Sequence, residues 1–413
     1  MDVLVVGGGV VGVACAHELA KRGASVTVVE RDRVGHGCSY GNAGWLTPSQ
    51  AVPLANPSML FKSFRWMLDP ESPLYIQPRL DAGYLRWLIE FLLASRKSKF
   101  EPGAMALVQL CNASVDLWEA LAQRNAATFS SFERHGLLAV YEHQASFDAA
   151  RTANALVERA GVKAERWTAE QVREREPAIV GPTVGGYFFP DDAHCKPYEA
   201  VQVLAAEAAA AGVRFVERAE VFGVSSASGT APRRVQTTAG EFTADRILLA
   251  AGSWSEGLGQ MLDLRVPVLG AKGYSMLVPR ANPHPTRSIY LIERKVAVNP
   301  HHDALRIAGT LELVKNDFSI NRRRVDVILR GAKAMLNIGD APVVHELWRG
   351  LRPCTPDGMP VIGRARGRGD VWLATGHQMA GLKTAPATGV LLAQLMTGET
   401  PSFDPQPFRG DRF

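Results

Sequence analysis

The chain has 413 residues, of which 46% are hydrophobic and 21% are charged. This composition excludes collagen-like, disordered and disulfide-scaffold proteins, and the length allows two or three lobes with a substantial core. The net charge is mildly positive, because 46 Lys and Arg residues exceed 41 Asp and Glu residues. Because the excess is spread along the chain, it does not indicate a nucleic-acid partner.

The cysteines and the first residues indicate where the protein works. Five scattered cysteines form no C-x-x-C pair and no metal-like cluster, which favours reduced thiols and no bound metal. No apolar run reaches the length of a membrane span, and no basic region precedes the first apolar strand. We therefore expect a cytoplasmic protein, with at most peripheral contact with the inner face of a membrane.

A glycine motif follows the first predicted strand, residues 2–6. Gly7, Gly9 and Gly12 form a G-x-G-x-x-G that leads into a helix of small residues. Such glycines allow a tight turn, close approach of a pyrophosphate and close packing of helix on strand. The helix start offers free N–H groups and a positive dipole to phosphates. The pattern therefore predicts a dinucleotide site.

A second predicted strand, residues 25–29, ends in Glu30, which can accept hydrogen bonds from a ribose. A chance glycine loop is a poor explanation in this complete context, but the dinucleotide can be either NAD or FAD. Residues 35–44 then form a second loop rich in Gly, Ser and Asn, where a simple NAD domain would continue into a helix and a strand.

At this point the chain resembles the D-amino-acid oxidase-like superfamily of FAD enzymes, which has the glutathione-reductase-type fold. The residues that carry the resemblance are Gly7, Gly9, Gly12, Glu30, Arg31, Ser39, Asn42, Ala43 and Gly44. Segments 272–275, 295–298 and 309–312 resemble D-amino-acid dehydrogenases within it, and D-hydroxyproline dehydrogenase and glycine oxidase are further similar members. The resemblance implies FAD as the cofactor.

The helix predicted over residues 84–93 has two explanations. Its aromatic and aliphatic residues precede Arg96, Lys97 and Lys99, as in an amphipathic helix that touches a membrane or an electron-carrying partner. The second explanation is a helix of the substrate lobe whose cationic end is solvated, because cations are stabilised at a helix C-terminus. We favour the second explanation, since one basic cluster is a weak membrane signal.

The expected fold class is α/β, with a Rossmann-like FAD-binding domain and an α+β substrate domain built on an antiparallel sheet. Strand-like segments between residues 265 and 313 supply that sheet. We expect the FAD-binding domain to comprise 1–85, 145–262 and 325–413, and the substrate-binding domain to comprise 86–144 and 263–324.

The C-terminal segment 348–363 reads W-x-G-x-R-P-x-T-P-D-G-x-P-x-I-G and matches the superfamily closely. The resemblance implies that Arg352 binds the substrate carboxylate, a task that suits a planar guanidinium. A structural arginine that holds a turn is the alternative. Cys354 invites comparison with covalent flavin attachment, but its spacing does not match.

The loop 376–381 and the following helix are implied to cross the flavin, where a helix dipole stabilises the reduced anionic ring. Lys383 either adds a full charge there or is exposed. His377 is expected to pack the loop rather than to act as a base. Met379 stands where some relatives carry a second arginine, and Tyr290 is our candidate for the substrate-lobe tyrosine.

The expected catalytic residues are therefore Arg352 and Tyr290. The expected cofactor-binding residues are Gly7, Gly9, Val10, Val11, Gly12, Glu30, Arg31, Cys38, Ser39, Asn42, Ala43, Gly44, Trp45, Val221, Ala251, Gly252, Trp254, Gly376, His377, Gln378, Met379, Ala380, Gly381, Leu382 and Lys383.

The resemblance implies oxidation of a D-amino acid, such as D-proline or hydroxy-D-proline, by hydride transfer to flavin N5, with electrons passed to a quinone or another acceptor. Three alternatives stay open: an oxidase that uses O₂, an RNA-modification flavoprotein suggested by the pI of 9.0, and a non-catalytic FAD subunit of an oligomer or larger complex.

Overall fold

A computed structural model describes residues 1–57, 74–77, 79, 81–225, 232–314 and 316–413. The described residues form these α-helices: α1 Val10–Lys21, α2 Ala82–Ala94, α3 Lys97–Arg124, α4 Gln144–Arg159, α5 Ala169–Arg175, α6 Pro197–Ala210, α7 Ser255–Gln260, α8 Arg322–Lys333 and α9 Gly381–Thr397.

The strands are β1 Asp2–Val6, β2 Ser25–Val29, β3 Trp45–Leu46, β4 Leu74–Ile76, β5 Leu137–Tyr141, β6 Glu165–Thr168, β7 Gly185–Phe189, β8 Ala193–His194, β9 Arg214–Val216, β10 Val221–Val224, β11 Arg233–Thr237, β12 Gly240–Ala244, β13 Arg246–Leu249, β14 Leu269–Pro279, β15 Ser288–Leu291, β16 Val296–Pro300, β17 Ala304–Leu313, β18 Glu346–Cys354, β19 Val361–Arg364 and β20 Val371–Thr375.

The first sheet has the strand order β19-β20-β13-β1-β2-β9, and all its pairs are parallel except β19 with β20. The central strand β1 is apolar on both faces, as parallel strands covered by helices require, and Val3 and Val5 are fully buried. Helices α1 and α9 pack on the same face. Gly389 of α9 packs directly against the backbone of Ala14 in α1. A Cβ at Gly389 would lie only 2.5 Å from the Ala14 carbonyl oxygen, so this close contact requires glycine.

The second, larger sheet has the order β18-β14-β17-β16-β15-β5-β7-β6, with β4 beside β17. Its pairs are antiparallel apart from β15 with β5 and β17 with β4. Helix α8 covers one face of this sheet, where Tyr274, Met276 and Val278 of β14 lie in a shared apolar cluster with Ile328. The opposite face looks towards the first sheet. A Rossmann-like lobe and a lobe on a largely antiparallel sheet are thus confirmed.

Most predicted elements occur within a few residues of their expected limits, and three differences are informative. The sequence pattern over 107–124 predicts a helix, and the observed helix begins earlier, at Lys97, with Pro102 in its second turn. The pattern over 213–224 predicts one strand, which is divided into β9 and β10 of two different sheets, and Arg218 between them has a positive φ of 55°. The pattern over 322–338 predicts a helix, which ends at Lys333.

The proposed limits of the two domains remain a prediction, and strand pairing bears on them at two places. Strands β6 and β7 lie within the segment 145–262, which we grouped with the nucleotide lobe, yet they pair next to β5 in the large sheet. Strand β18 lies within 325–413 and pairs with β14 in the same sheet. Alternating helices and strands give the same sequence pattern in either lobe, so only the long-range pairing distinguishes them.

Candidate active site

A cavity of about 610 Å³ opens at the carboxyl ends of β1, β2, β13 and β20. Its walls include Gly7 after β1, Glu30 after β2 and Thr375 at the end of β20. Ligands of open α/β sheets bind at this edge, and cofactor sites commonly have volumes of roughly 300–1,000 Å³. The cavity therefore has the position and the size of a nucleotide site.

The three motif glycines are required for different reasons. Gly7 has a φ of +114°, and a Cβ there would lie 2.6 Å from the carbonyl oxygen of Ala250. A Cβ at Gly12 would overlap the carbonyl oxygen of Gly7. A Cβ at Gly9 would meet only the hydroxyl of Ser39, at an ordinary 3.5 Å. The fold itself needs Gly7 and Gly12, whereas the space over Gly9 belongs to the cavity.

Hydrogen-bond donors and an acceptor are held around that space. The N–H groups of the first turn of α1 have no acceptor within the helix, and the N–H of Val10 donates to Ser39 Oγ at 3.0 Å. The carboxylate of Glu30 is fixed at the end of β2, because it accepts from the N–H groups of Gly8 at 2.7 Å and Asp32 at 3.0 Å. Phosphate donors and a ribose acceptor therefore flank one cradle, which fits an extended dinucleotide.

Most of the residues that we expected to bind the cofactor line this cavity. They are Gly7, Gly9, Val10, Val11, Glu30, Arg31, Cys38, Ser39, Asn42, Val221, Ala251, Gly252, Trp254, His377, Gln378, Gly381 and Leu382. The lining does not include Gly12, Ala43, Gly44, Trp45, Gly376, Met379, Ala380 or Lys383.

The segment Ala43–Trp45 lies outside the lining because it is held by other elements. The Ala43 carbonyl accepts from Asn299 Nδ2 at 2.8 Å, and the Trp45 indole N–H donates to the carbonyl of Val298 at 3.2 Å. A Cβ at Gly44 would overlap Asn299. This segment therefore joins the nucleotide lobe to strand β16 of the large sheet.

A stack of cations and aromatic rings crosses the cavity wall between the two sheets. The guanidinium of Arg31 lies 3.9 Å from the ring centre of Trp254, which stacks on Phe318 with centroids 5.9 Å apart. Arg349 completes the stack 5.1 Å from the Phe318 ring and donates from Nε to the Phe318 carbonyl at 2.6 Å. A cation therefore lies over the outer face of each ring of the stacked pair, and the cation–π attraction at both ends holds this wall in place.

Arg352 lies on β18 between Leu351 and Pro353, which both line the cavity. Its Nη1 donates to the carbonyl oxygen of Thr310 at 2.9 Å. Thr310 has a φ of +58°, in the left-handed region, at the point where the register of β14 and β17 shifts. Such bulges turn individual groups out of the ladder, and here the bulge turns a carbonyl towards the guanidinium.

The charge of Arg352 has no acidic partner within the described part of the chain. Burial lowers the pKa of the guanidinium, and Cys38 and Cys354 are the titratable groups that act on it. Burial also raises the pKa of the Cys38 thiol to about 11 and that of Cys354 to about 12, so both thiols are neutral. A half-buried cation with one hydrogen bond is a site for an anion.

Tyr290 does not join Arg352. It lies on β15, four strand spacings from β18, which corresponds to roughly 19 Å across the sheet. Its ring packs edge-on against Trp45, with centroids 5.5 Å apart, and it does not line the cavity. The pairing of β15 with β16 and β5 places it in the core next to the nucleotide lobe, so the expected contact with a substrate held by Arg352 is not found.

His377 is buried and neutral. Burial lowers its pKa to about 3, and its Nε2 lies 3.2 Å from Thr388 Oγ1. The backbone N–H of the next residue, Gln378, donates to the Pro353 carbonyl at 2.9 Å. This hydrogen bond links the loop to the strand that carries Arg352. This placement agrees with a packing role for His377.

Lys383 is 5% exposed, and it is not among the residues that line the cavity. The ammonium donates to Thr47 Oγ1 at 2.8 Å, and burial lowers its pKa. Nearby, the buried carboxyl of Asp192 accepts from the hydroxyl and the N–H of Ser49. Burial raises the pKa of Asp192 to about 7. Lys383 is thus neither exposed nor part of the cavity wall.

Several cavity residues were not expected from the sequence. Phe318 follows β17 in a segment without a motif, and no local signal points to it. Trp348 and Arg349 belong to the C-terminal motif, whose conspicuous tryptophan was a usable signal.

Comparison with known proteins agrees with this geometry. Residues 2–395 match the family described as FAD dependent oxidoreductase (DAO). A D-amino acid dehydrogenase of Chromohalobacter salexigens is 32% identical over 412 residues, which cover 98% of each chain. One of Paramagnetospirillum magneticum is 34% identical over 422 positions, which cover 100% of this chain and 99% of the relative.

Two solved structures share the fold. Glycine oxidase from Geobacillus kaustophilus is 24% identical, with a TM-score of 0.78 over 100% of this chain and 98% of that chain. L-proline dehydrogenase from P. horikoshii is 21% identical, with a TM-score of 0.76 over 100% and 97%. The expected superfamily, fold class and FAD cofactor are confirmed. The chain belongs to the FAD dependent oxidoreductase (DAO) family.

Proposed function

We propose that the protein is an FAD-dependent dehydrogenase that oxidises a D-amino acid to its imine. The observation that carries this proposal is the guanidinium of Arg352 beside the dinucleotide cavity, which has no acidic partner among the residues that the structure describes. The names of the most similar relatives support the substrate class. D-Proline and hydroxy-D-proline are our proposed examples, because they are compact acids with a single carboxylate.

Arg352 binds the substrate carboxylate. Its Nη1 already donates to Thr310, so the guanidinium plane is fixed before the substrate arrives. Four of its five N–H groups remain, and two of them can make parallel hydrogen bonds to both carboxylate oxygens, the geometry in which arginine discriminates best. The bound carboxylate also neutralises a half-buried charge, and the two charges attract each other more strongly there than at an exposed arginine because the local dielectric constant is lower.

We assign the cofactor to the cavity residues described above. Gly9 and the first turn of α1 would hold the pyrophosphate, Glu30 would hold the ribose, and the start of α9 would lie beside the ring. When bound, FAD supplies the acceptor for the hydride that leaves the substrate Cα. The chain contributes the orientation of the acid and the positive end of the α9 dipole.

His377 is a poor proton acceptor, because burial lowers its pKa to about 3. The substrate amine therefore loses its proton to solvent before or during hydride loss, which leaves a C=N bond. Water then converts an acyclic imine to a 2-oxo acid and ammonia, whereas a cyclic imine keeps its ring.

Anaerobic mixing of the FAD-loaded protein with single amino acids tests this proposal. We expect D- but not L-amino acids to bleach the visible flavin absorbance. No bleaching by any amino acid would refute the proposed reaction and favour a non-catalytic FAD subunit. Peroxide release in air would identify an oxidase instead, and salt-dependent RNA binding would favour an RNA-modification flavoprotein.

For the electron acceptor we propose a membrane quinone, reached through peripheral contact of α2 with the bilayer. Among the described helices, none is long and apolar enough to cross a bilayer. Yet α2 shows an apolar stripe to solvent at helical spacing, formed by Leu85, Ile89, Leu92 and Leu93, which are 44–57% exposed. Opposite it, Tyr84 and Trp87 anchor the helix.

The charges around this stripe complement an anionic membrane surface. Arg96, Lys97 and Lys99 follow the helix and are exposed, although Lys97 also pairs with Glu101 at 3.5 Å. An apolar face with basic residues at its border is typical of helices that lie in the headgroup region. This observation favours the membrane explanation over a merely solvated helix end.

Co-sedimentation with vesicles tests the contact. We expect binding to vesicles that contain phosphatidylglycerol and weaker binding to pure phosphatidylcholine. Ile89→Ser with Leu93→Ser should reduce binding at least fivefold. Phe222→Ser is the control, because Phe222 is 59% exposed on β10 outside the stripe. Equal binding of all three proteins would contradict a role for α2.

A further inference from the structure

Two side chains of β18 converge on one pair of glycines. Gly350 on β18 is directly paired with Gly273 on β14. The indole of Trp348 folds along its own strand over Gly350, and the guanidinium of Arg352 folds across to lie over Gly273. A Cβ at either glycine would overlap the group above it. The glycine pair therefore forms a shallow floor that Trp348 and Arg352 share.

The indole of Trp348 is fixed from the other side as well. It lies against Gly41 of the loop that follows β2, where a Cβ would again overlap the ring. The backbone of Gly41 is itself held, because its carbonyl accepts from Ser275 Oγ at 2.8 Å. With backbone on both sides, the ring has no room for another rotamer. It forms a rigid wall of the cavity.

The wall lies where a substrate side chain must go. Paired strands are about 4.8 Å apart, so the groups over Gly350 and Gly273 are neighbours at roughly that spacing. A carboxylate held by Arg352 is one bond from its Cα, and the Cα substituent then lies beside the indole. We propose that Trp348 is the specificity-determining wall of the acid site, which selects compact apolar or small-ring side chains. This inference rests on the proposed function.

The charges near the wall agree with an uncharged side chain. Glu346 lies two residues before Trp348 on the same strand, but it is already engaged by Arg306 at 2.9 Å and by the Tyr40 hydroxyl at 3.0 Å. Arg349 is the other charged neighbour on β18 and lines the cavity. A cationic side chain would therefore meet positive charge, whereas an apolar side chain can pack against the part of the indole that lines the cavity.

The test compares Trp348→Ala and Trp348→Phe with the wild-type holoprotein. Turnover is measured with D-alanine, D-proline, D-leucine and D-phenylalanine. We expect Trp348→Ala to raise the ratio of kcat/KM for D-phenylalanine to that for D-alanine at least tenfold, since pocket volume changes of this kind alter discrimination by 10-fold or more. Trp348→Phe should shift the ratio in the same direction by a smaller factor. Trp372→Phe on β20, outside the cavity, is the matched control.

A second measurement does not depend on turnover. Acetate, propanoate, 3-methylbutanoate and phenylacetate are titrated into the oxidised holoprotein, and binding is followed by the flavin spectrum. In Trp348→Ala we expect acetate affinity within about threefold of wild type and phenylacetate affinity at least tenfold higher. If both Trp348 variants bind the four acids in the same order of affinity as the wild type, the proposed role of Trp348 is refuted. If these ligands rank as expected but no amino acid is oxidised, the proposed reaction is refuted, whereas the role of Trp348 as the specificity-determining wall is supported.

Discussion

The guanidinium of Arg352 lies over the α-carbon of Gly273, a residue of the neighbouring strand in a different part of the sequence. Any side chain at position 273 would occupy the place of Nη1, the atom that donates to Thr310. Arg352, the proposed carboxylate-binding residue, is thus oriented by the absence of a side chain at Gly273.

Gly273→Ala should displace Arg352 and weaken carboxylate binding while the protein stays folded. Loss of the charged hydrogen bond to Thr310 amounts to roughly 1.5–3 kcal/mol, or about 10- to 100-fold in affinity. Titration of the holoprotein with acetate measures the effect. Gly270→Ala is the matched control on the same strand, because a Cβ there meets Leu351 at an ordinary 3.4 Å. Equal affinity in the two variants would contradict this role of Gly273.

Two replacements of Arg352 should distinguish the contribution of its positive charge to substrate binding from that of its paired hydrogen-bond donors. Arg352→Ala is expected to raise KM for a D-amino acid by about 100-fold, and Arg352→Lys by about 10-fold, because lysine keeps the charge but not the paired donors. FAD content should be unchanged in both, since the cofactor residues lie elsewhere in the cavity. Steady-state kinetics with the measured flavin per chain checks this. Wild-type KM in the alanine variant would rule out carboxylate binding by Arg352.

Two glycines of the motif should respond differently to the same substitution. Gly7→Ala is expected to lower the free energy of unfolding of the apoprotein by a few kcal/mol, because its φ is +114° and the Cβ would contact Ala250. Gly9→Ala should leave the apoprotein stability within roughly 0.5 kcal/mol and weaken FAD binding at least tenfold. Denaturant unfolding of apoprotein and FAD titration measure the two effects. Similar stability losses in both variants would disprove this distinction.

The buried carboxyl of Asp192 should make stability depend on pH. Burial raises its pKa from 3.8 to about 7, so between these values the folded protein binds more protons than the unfolded chain. This contribution to the free energy of unfolding is present at low pH and is lost as the pH rises towards 7.

Asp192→Asn removes that titration and should flatten the fall in Tm between about pH 4 and about pH 7. Thermal unfolding of the wild type and the variant across this range measures the difference. The neighbouring Asp191→Asn is the control, because Asp191 lies at the surface and pairs with Lys163 at 3.4 Å. If Asp192→Asn and wild type show the same slope, Asp192 does not titrate in this range.

The placement of Gly7, Gly9 and Glu30 at the cavity, and of Arg352 beside it, could be predicted because each belongs to a continuous motif with a characteristic spacing. Tyr290 could not be placed from the sequence, since its position depends on which strands pair with β15. The burial of Lys383 likewise depends on Thr47, 336 residues away in the chain. Phe318 enters the cavity wall only through its stack with Trp254, a contact between two lobes.

Strand β18 ends the large sheet, and the chain then passes directly into β19, β20 and α9 of the nucleotide lobe. Arg352, which we propose to bind the acid, and helix α9, which we propose to lie beside the ring, are therefore parts of one uninterrupted stretch, residues 346–397. A chimaera that imports a foreign substrate lobe would have to cut this stretch or leave β18 behind. Recombination of whole lobes is consequently a poor route to new substrates in this architecture, and changes at single positions along β18 are the natural one.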